Sequence, residues 1–339
     1  MHQKPCYILG IESSCDDTSA SILKNEEVLS NIVSNQQVHI DYGGVVPELA
    51  SREHQKNIIP VVSKALKDAN IEKNDLSAIA FTQGPGLLGS LLVGSSFAKS
   101  FSMGLKIPII GVNHLQAHIL AHFIGKENTK PTFPFLGITL SGGHTQIVIV
   151  KDYFDMEIIG TTLDDAIGEA FDKCGKILGL NYPAGPEIDK LFNINKSRNF
   201  SFPIPKVKNF DLSFSGFKTS VINFVKKNSE KDKDFIKKNL IELCSSIQFT
   251  LIEIITQKII YSVNKTNIKT IAIGGGVTAN SFLRKKLRQI ANENNWKLFI
   301  PNIEYTTDNA AMIGIVGYHK FLKKKFSDLS LKSSARLKF

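Results

Sequence analysis

Two stretches of the chain carry the same alternation of apolar and polar positions. Residues 9–23, LGIESSCDDTSASIL, align without a gap on residues 136–150, LGITLSGGHTQIVIV, at an offset of 127 residues (136 − 9). The identical pairs are Leu9/Leu136, Gly10/Gly137, Ile11/Ile138, Ser14/Ser141, Thr18/Thr145 and Ile22/Ile149. Each copy reads as an apolar strand, a turn of small, donor-rich residues, and a second β-prone strand, which predicts a hairpin. Two such hairpins this far apart predict a duplicated unit.

Three further segments switch from strand to helix periodicity. LSAIAFTQGPGLLGSLLVGSSFAKSFSMGL (76–105), IPIIGVNHLQAHILAHF (107–123) and TIAIGGGVTANSFLRKKLRQIANEN (270–294) each place an apolar strand before a helical pattern. Strands alternating with helices imply crossover connections and layered α/β domains. KENTKP (126–131) is the best junction between the halves. Region 193–240 breaks the pattern. Its first part, NINKSRNFSFPIPKVKNF, interleaves basic and aromatic residues, a combination that can contact RNA by charge and stacking. Its second part, KKNSEKDKDFIKKN, reads as a solvated loop or helix face.

Bulk properties narrow the class. The chain has 339 residues, enough for two domains or one duplicated unit with a real core. Lys and Arg number 41 against 31 Asp and Glu, for a formal net charge of +10, which suits a polyanionic partner and equally a basic cytosolic protein. Cys6, Cys15, Cys174 and Cys244 are scattered with no CxxC pair, which argues against a disulfide framework or zinc ribbon and for a reducing compartment. The N-terminal stretch reaches Glu12 before any signal-length apolar run develops, and no later stretch of about 18 apolar residues follows. A cytoplasmic protein without a membrane segment is expected.

The candidate chemistry begins with GVNHLQAHILAH (111–122), where His114, His118 and His122 recur every four residues. A four-residue helical step rises roughly 6 Å, so neighbouring imidazoles can share a metal ion or can simply be hydrogen-bonded core residues. In LSGGHT (140–145), Gly142 and Gly143 let backbone N–H groups approach a phosphate or carboxylate. The glycines 274–276 open a helix and add the positive end of its dipole. Asp172, Gly185, Asp189 and Asn280 lie beside these loops, where carboxylates can hold ribose hydroxyls or act as caps. Asp308, in EYTTDNAAMIG (304–314), stands where a helix begins. It reads either as an N-cap or as the oxygen ligand of a His, His, Asp site suited to iron(II) or zinc.

Nine collinear motifs together resemble one family. They are GIESSCDDT, VPELASREH (46–54), GPGLLGSL (84–91), NHLQAH, LSGGHTQ, GEAFDKCGKILGLNYPAGP, FDLSFSGFK (210–218), GGGVTAN and TTDNAAMI. In this order, between about residues 7 and 318, they resemble the TsaD (formerly Gcp) family, acyltransferases that place a threonylcarbamoyl group on tRNA. The acceptor is N6 of the adenosine beside the anticodon, in tRNAs reading codons that begin with A. The donor is threonylcarbamoyl-adenylate, and AMP leaves.

The resemblance implies an α/β fold of the ASKHA (actin-like ATPase) architecture: two duplicated RNase-H-like subdomains with a cleft between them. Residues 1–130 would form the first, completed by a helix at 309–325, and residues 131–308 the second, with 193–240 inserted. It implies one divalent metal per subunit, Fe2+ favoured and Zn2+ possible, on His114, His118 and Asp308, and leaves His122 to packing. It maps nucleotide and acyl-adenylate contacts onto Thr139, Leu140, Ser141, Gly142, Gly143, Asp172, Gly185, Asp189 and Asn280. The implied partners are tRNA, a degenerate paralogue (TsaB), a small ATPase (TsaE) and the enzyme that makes the adenylate. Two departures from the family pattern are Asp17 in place of Glu and Ala184 in place of Gly, where a Cβ restricts positive φ. The tail SLKSSARLKF also lacks the family's Trp-Pro.

Acyl transfer to an exocyclic amine needs a polarised carbonyl, a held leaving group and an aligned nucleophile. No side chain stands out as general base, and His144 is the candidate. Lys173, Lys218 and the 196–208 stretch are the candidate tRNA contacts. A kinase of the same superfamily would use the loops without a His–His–Asp site. A zincin protease would need Glu after the first His, where Leu115 stands. A non-catalytic scaffold would have lost the ligands.

Overall fold

The structure, a computed structural model, describes residues 5–125 and 130–339. Two compact units result: residues up to Pro131 together with Pro301–Phe339, and Thr132–Ile300. The second unit thus ends at Ile300, and the segment 301–308, expected with the second half, belongs to unit 1. Four of the six residues of the expected junction (126–129) lie outside the described residues.

Unit 1 is built on strands β1 (Tyr7–Glu12), β2 (Thr18–Lys24), β3 (Glu27–Ser34), β4 (Ala78–Gly84) and β5 (Ile109–Asn113), in the spatial order β3-β2-β1-β4-β5. The first three form an antiparallel meander, and β4 and β5 add in parallel. Helices α1 (Pro47–Asp68), α2 (Leu88–Leu105) and α3 (His114–Leu120) connect or follow them. Leu9, Ile11, Ile22, Ile79 and Phe81 are fully or almost fully buried with Val62 and Ala98 of the covering helices. Each large apolar side chain so buried contributes about 1.5–3 kcal/mol.

Unit 2 repeats the plan with β6 (Phe135–Leu140), β7 (Thr145–Asp152), β8 (Asp155–Thr161), β9 (Thr270–Gly274) and β10 (Lys297–Phe299), ordered β10-β9-β6-β7-β8. The repeat extends to register. Leu9 pairs with Ile22 in β1/β2, and Leu136 pairs with Ile149 in β6/β7. Helices α4 (Ile167–Ile177), α5 (Ala184–Leu191), α6 (Ser215–Ser229), α7 (Phe235–Thr266) and α8 (Ser281–Glu293) complete the unit. Helix α7 is long and apolar enough by composition to cross a membrane, but 72% of its apolar window is buried inside the protein, so it is a core helix. Leu243, Ile247 and Leu251 pack there against Phe171, Phe214 and Phe217.

Region 193–240 contains α6 and the start of α7, and its charged run is largely solvated, as expected. Its aromatics behave differently from the RNA-stacking expectation. Phe202 is buried against Phe217 and Phe224, and Phe200 packs on Phe224, because their rings complete the core of unit 2.

The helix after β10, α9 (Ala310–Leu322), packs on β1, β2 and β4 of unit 1. Its path depends on Gly10: a Cβ there would lie 2.3 Å from the Ala310 carbonyl oxygen and 2.9 Å from the Gly314 nitrogen. The helix start is held by side chains of the meander. Ala310 N–H donates to Ser19 Oγ (2.9 Å), and Ala311 N–H to Asn31 Oδ1 (3.3 Å). These contacts fix the start of the helix and with it Asp308, two residues ahead of Ala310.

Candidate metal centre and loop site

Strand β5 runs directly into α3, and Asn113 makes the turn. Its side-chain oxygen accepts from the N–H groups of Leu115 (2.9 Å) and Gln116 (3.2 Å), an N-cap that satisfies two donors of the first helical turn. His114 is therefore the first helical residue and His118 lies one turn on, their rings edge to face with centroids 4.7 Å apart.

Asp308 meets both. Its Oδ1 lies 3.1 Å from His118 Nε2 and 3.5 Å from His114 Nε2. One ligand atom from each of the three residues lies within 4.8 Å of the others. The N-cap reading of Asp308 is excluded by its neighbour: Asn309 caps α9, its side chain accepting from Met312 N–H (3.1 Å). His122 is buried in the short turn Ala121–Phe123 and stands outside the converging set.

One residue of this site was missed by sequence reasoning. Glu12, at the end of β1, is completely buried. An unpaired carboxylate at such depth costs several kcal/mol. Glu12 is compensated by the Ser14 N–H (2.5 Å), the Thr82 hydroxyl (2.6 Å) and His114 Nδ1 (3.0 Å). The available signal was a charge closing the otherwise apolar run YILGIE.

The electrostatics suit a cation. Glu12 lies against His114 Nδ1, which turns Nε2 toward the Asp308 carboxylate. Nε2 there either carries a second proton or gives its lone pair to a cation, because a bare nitrogen and a carboxylate oxygen facing each other repel. Burial disfavours charge on His114, but the carboxylates of Glu12 and Asp308 overcome it and hold its pKa well above the ordinary range. Burial likewise acts against the Asp308 anion, and His114 and His118 outweigh it, so its pKa is well below normal. Burial, with Asp308 and Asp16 nearby, pushes the Asp17 carboxyl up to about 7. His118 Nδ1 is buried without a hydrogen-bond partner. Two imidazole nitrogens, one carboxylate oxygen and a surplus of negative charge fit a divalent ion.

In unit 2 the second hairpin turns on Ser141, whose N–H donates to the His144 carbonyl (2.9 Å) while its Oγ accepts from His144 N–H (3.1 Å). Gly142 and Gly143 are exposed, and a Cβ on either would meet nothing within 4 Å. Thr139 is fully buried with its hydroxyl unpartnered, and Leu140 is buried beside it. Gly275, at φ +92°, lets the glycine turn approach: a Cβ there would lie 2.5 Å from the Leu140 carbonyl oxygen.

The other expected contact residues are engaged within the protein. Asp172 Oδ1 accepts from Ala184 N–H (2.8 Å) at the start of α5, next to Gly185. Asp189 accepts from Ser281 N–H (2.9 Å), Ser281 Oγ (2.9 Å) and Gln248 Nε2 (2.8 Å). Asn280 caps α8 through Leu283 N–H (2.9 Å) and donates to Gln248 Oε1 (2.8 Å). Asp189 and Asn280 thus share one network. Lys173 and Lys218 both pair with Asp165, Lys173 also with Glu169, so neither is a free cation. Ala184 causes no strain: it is the first residue of α5 with φ outside the positive region, its Cβ filling the space beside Gly175. Asp17 accepts from Asn35 Nδ2 (2.6 Å).

Comparison with known proteins agrees with this picture. The sequence model described as "TsaD: tRNA N6-adenosine threonylcarbamoyltransferase" matches residues 27–315. A tRNA N6-adenosine threonylcarbamoyltransferase of Christiangramia forsetii is 59% identical over 100% of both chains. That of Riemerella anatipestifer is 56% identical over 98% of each. Among solved structures, full-length HypF superposes with a TM-score of 0.61 at 14% identity, covering 93% of this chain and 56% of that one. Component A of the Acidaminococcus fermentans (R)-2-hydroxyglutaryl-CoA dehydratase gives 0.52 at 17% identity, covering 93% and 98%. At such identities the likeness concerns the fold alone, an α/β frame of the actin-like ATPase class. The relatives at high identity carry more, and the chain belongs to the TsaD family of tRNA N6-adenosine threonylcarbamoyltransferases.

Proposed function

We propose that this chain transfers the threonylcarbamoyl group of threonylcarbamoyl-adenylate to N6 of an adenosine beside the anticodon of tRNA, with AMP as leaving group. The observation that carries the reading is the convergence of His114, His118 and Asp308, with Glu12 behind His114. These three residues would hold one divalent ion, iron(II) or zinc. When bound, the ion supplies Lewis-acid polarisation and orientation of the acyl donor.

The remaining roles fall to the chain itself. Glu12 fixes the tautomer and tilt of His114. Gly142 and Gly143 leave backbone N–H groups open to the adenylate phosphate. Thr139, Leu140 and Ser141 shape that loop. Gly185 and the start of α8 would take the nucleotide, with Asp172, Asp189 and Asn280 holding those helix starts in place. Aligning the weakly nucleophilic amine then supplies much of the acceleration. His144 is proposed as proton acceptor for the amine.

The kinase reading leaves a buried His–His–Asp cluster unexplained, and the protease reading lacks its glutamate at Leu115. A tRNA substrate also argues for a cytoplasmic enzyme, working with TsaB-like and TsaE-like partners. The test is metal analysis of anaerobically purified protein together with mass spectrometry of tRNA nucleosides after reaction with the adenylate. One metal per chain and threonylcarbamoyl-adenosine in the tRNA are expected. Full transfer by metal-free protein would end the metal assignment, and no modified nucleoside with the complete partner set would end the transferase assignment.

A further inference from the structure

The phenylalanines of the basic stretch 193–208 pack on Phe217 and Phe224, and one of its cations borders a different aromatic surface. Phe192 stacks on Phe282 with centroids 4.4 Å apart and planes inclined by 29°. Phe282 stacks in turn on Phe249, at 6.1 Å and 27°. The Arg198 guanidinium lies 5.0 Å from the Phe249 centroid, and Lys286 Nζ lies 5.3 Å from it. All three rings are half-buried, so they form a ladder reaching the surface of unit 2.

A cavity of about 430 Å3 opens on this ladder, lined by Phe249, Phe282, Lys285, Lys286, Gln289 and Glu293 among others. A second, of about 320 Å3, shares Phe249 and is bordered by Ser197, Arg198, Ser201 and Glu253. Lys286 is neutralised by Glu253. Arg198 and Lys285 are exposed and have no ion-pair partner among the described residues, while Glu293 on the cavity wall accepts from Gln289 Nε2 (2.8 Å). A protein interface would tend to exclude lysine from its centre. Aromatic faces at the floor and uncompensated cations at the rim are the chemistry that receives an unstacked base with its flanking phosphates.

We propose that this face of unit 2, the Phe249–Phe282 cavity flanked by Arg198 and Lys285, binds a splayed nucleotide of the tRNA substrate and its neighbouring phosphates. It rests on the tRNA reading above and adds where the RNA is gripped. Arg198 and Lys285 take phosphates, and a base enters the apolar cavity against Phe249 or Phe282.

The test is binding of fluorescently labelled full-length tRNA to the full chain with its partner proteins, titrated across salt. Wild type is compared with the double variant Arg198→Ala, Lys285→Ala and with Phe249→Leu. The double variant should raise Kd at least roughly tenfold near physiological salt and lower the log–log salt slope by about two, as expected for two lost phosphate contacts. Phe249→Leu should weaken binding severalfold with the slope unchanged, because stacking carries no counterion release. A double variant with the Kd and slope of a tRNA-binding wild type overturns the proposal. Retained tRNA binding with loss of a protein partner also overturns it and makes the face a protein-docking surface. A wild-type protein that binds no tRNA sinks the transferase reading itself, a result distinguishable from either.

Discussion

The two hairpins that open the two units keep one register and carry different chemistry. Leu9 pairs with Ile22 as Leu136 pairs with Ile149, yet Glu12 in the first copy corresponds to Thr139 in the second, and Cys15 and Asp16 to Gly142 and Gly143. In unit 1 the strand end is buried and anionic, and it orients a histidine. In unit 2 the loop is exposed and reduced to backbone. The apolar positions are constrained by packing on both copies, whereas the residues at the strand ends are free to diverge. The two copies thus share a frame and differ in the chemistry at its rim, a buried carboxylate in one and an exposed glycine loop in the other.

The strongest way to break the comparison is to remove the unit 1 chemistry outright. Replacing His114 and His118 together by Ala should take bound metal from one per chain to none and lower transfer by on the order of a thousandfold, read by elemental analysis and nucleoside mass spectrometry. Glu12→Gln keeps the shape but loses the charge behind His114. Metal affinity, measured by competition with a chelator, should fall by roughly 10–100-fold. The matching change in the second copy, Thr139→Val, should leave metal content untouched.

Smaller effects sharpen the contrast. Gly10→Ala drives a Cβ into the backbone of α9, so thermal unfolding should show a loss of about 1–3 kcal/mol, with weaker metal binding because Asp308 is displaced. Unchanged metal affinity in that variant would disconnect α9 docking from the site. Thr139→Val removes a buried, unpaired hydroxyl and should be neutral or stabilising by up to about 1 kcal/mol in the same assay. Gly142→Ala meets open space, so stability should stay within about 0.5 kcal/mol while KM for the adenylate rises.

Much of this was legible in the chain. The hairpins, the strand-to-helix switches and the placing of the histidines near a helix start all follow from periodicity. Other features were not. The phenylalanines at 200 and 202 look like an RNA surface beside lysines, but whether a ring stacks on a base or on Phe224 depends on which core it is near. Lys173 and Lys218 look like free cations until Asp165 is brought to them. Asp308 could cap its own helix by local rules, and only Asn309 one residue on shows that the cap was taken.

By itself the sequence determined the duplicated α/β frame, its hairpin register and the four-residue spacing of the histidines, because these depend on contacts a few residues apart and on the alternation of apolar side chains. Only the tertiary structure decided that Asp308 reaches those histidines and that Glu12 stands behind one of them. That meeting spans 190 residues between His118 and Asp308, and it exists because α9 lies against β1 where Gly10 has no side chain. No local pattern encodes such an approach; it is set by how closely two backbones can pack.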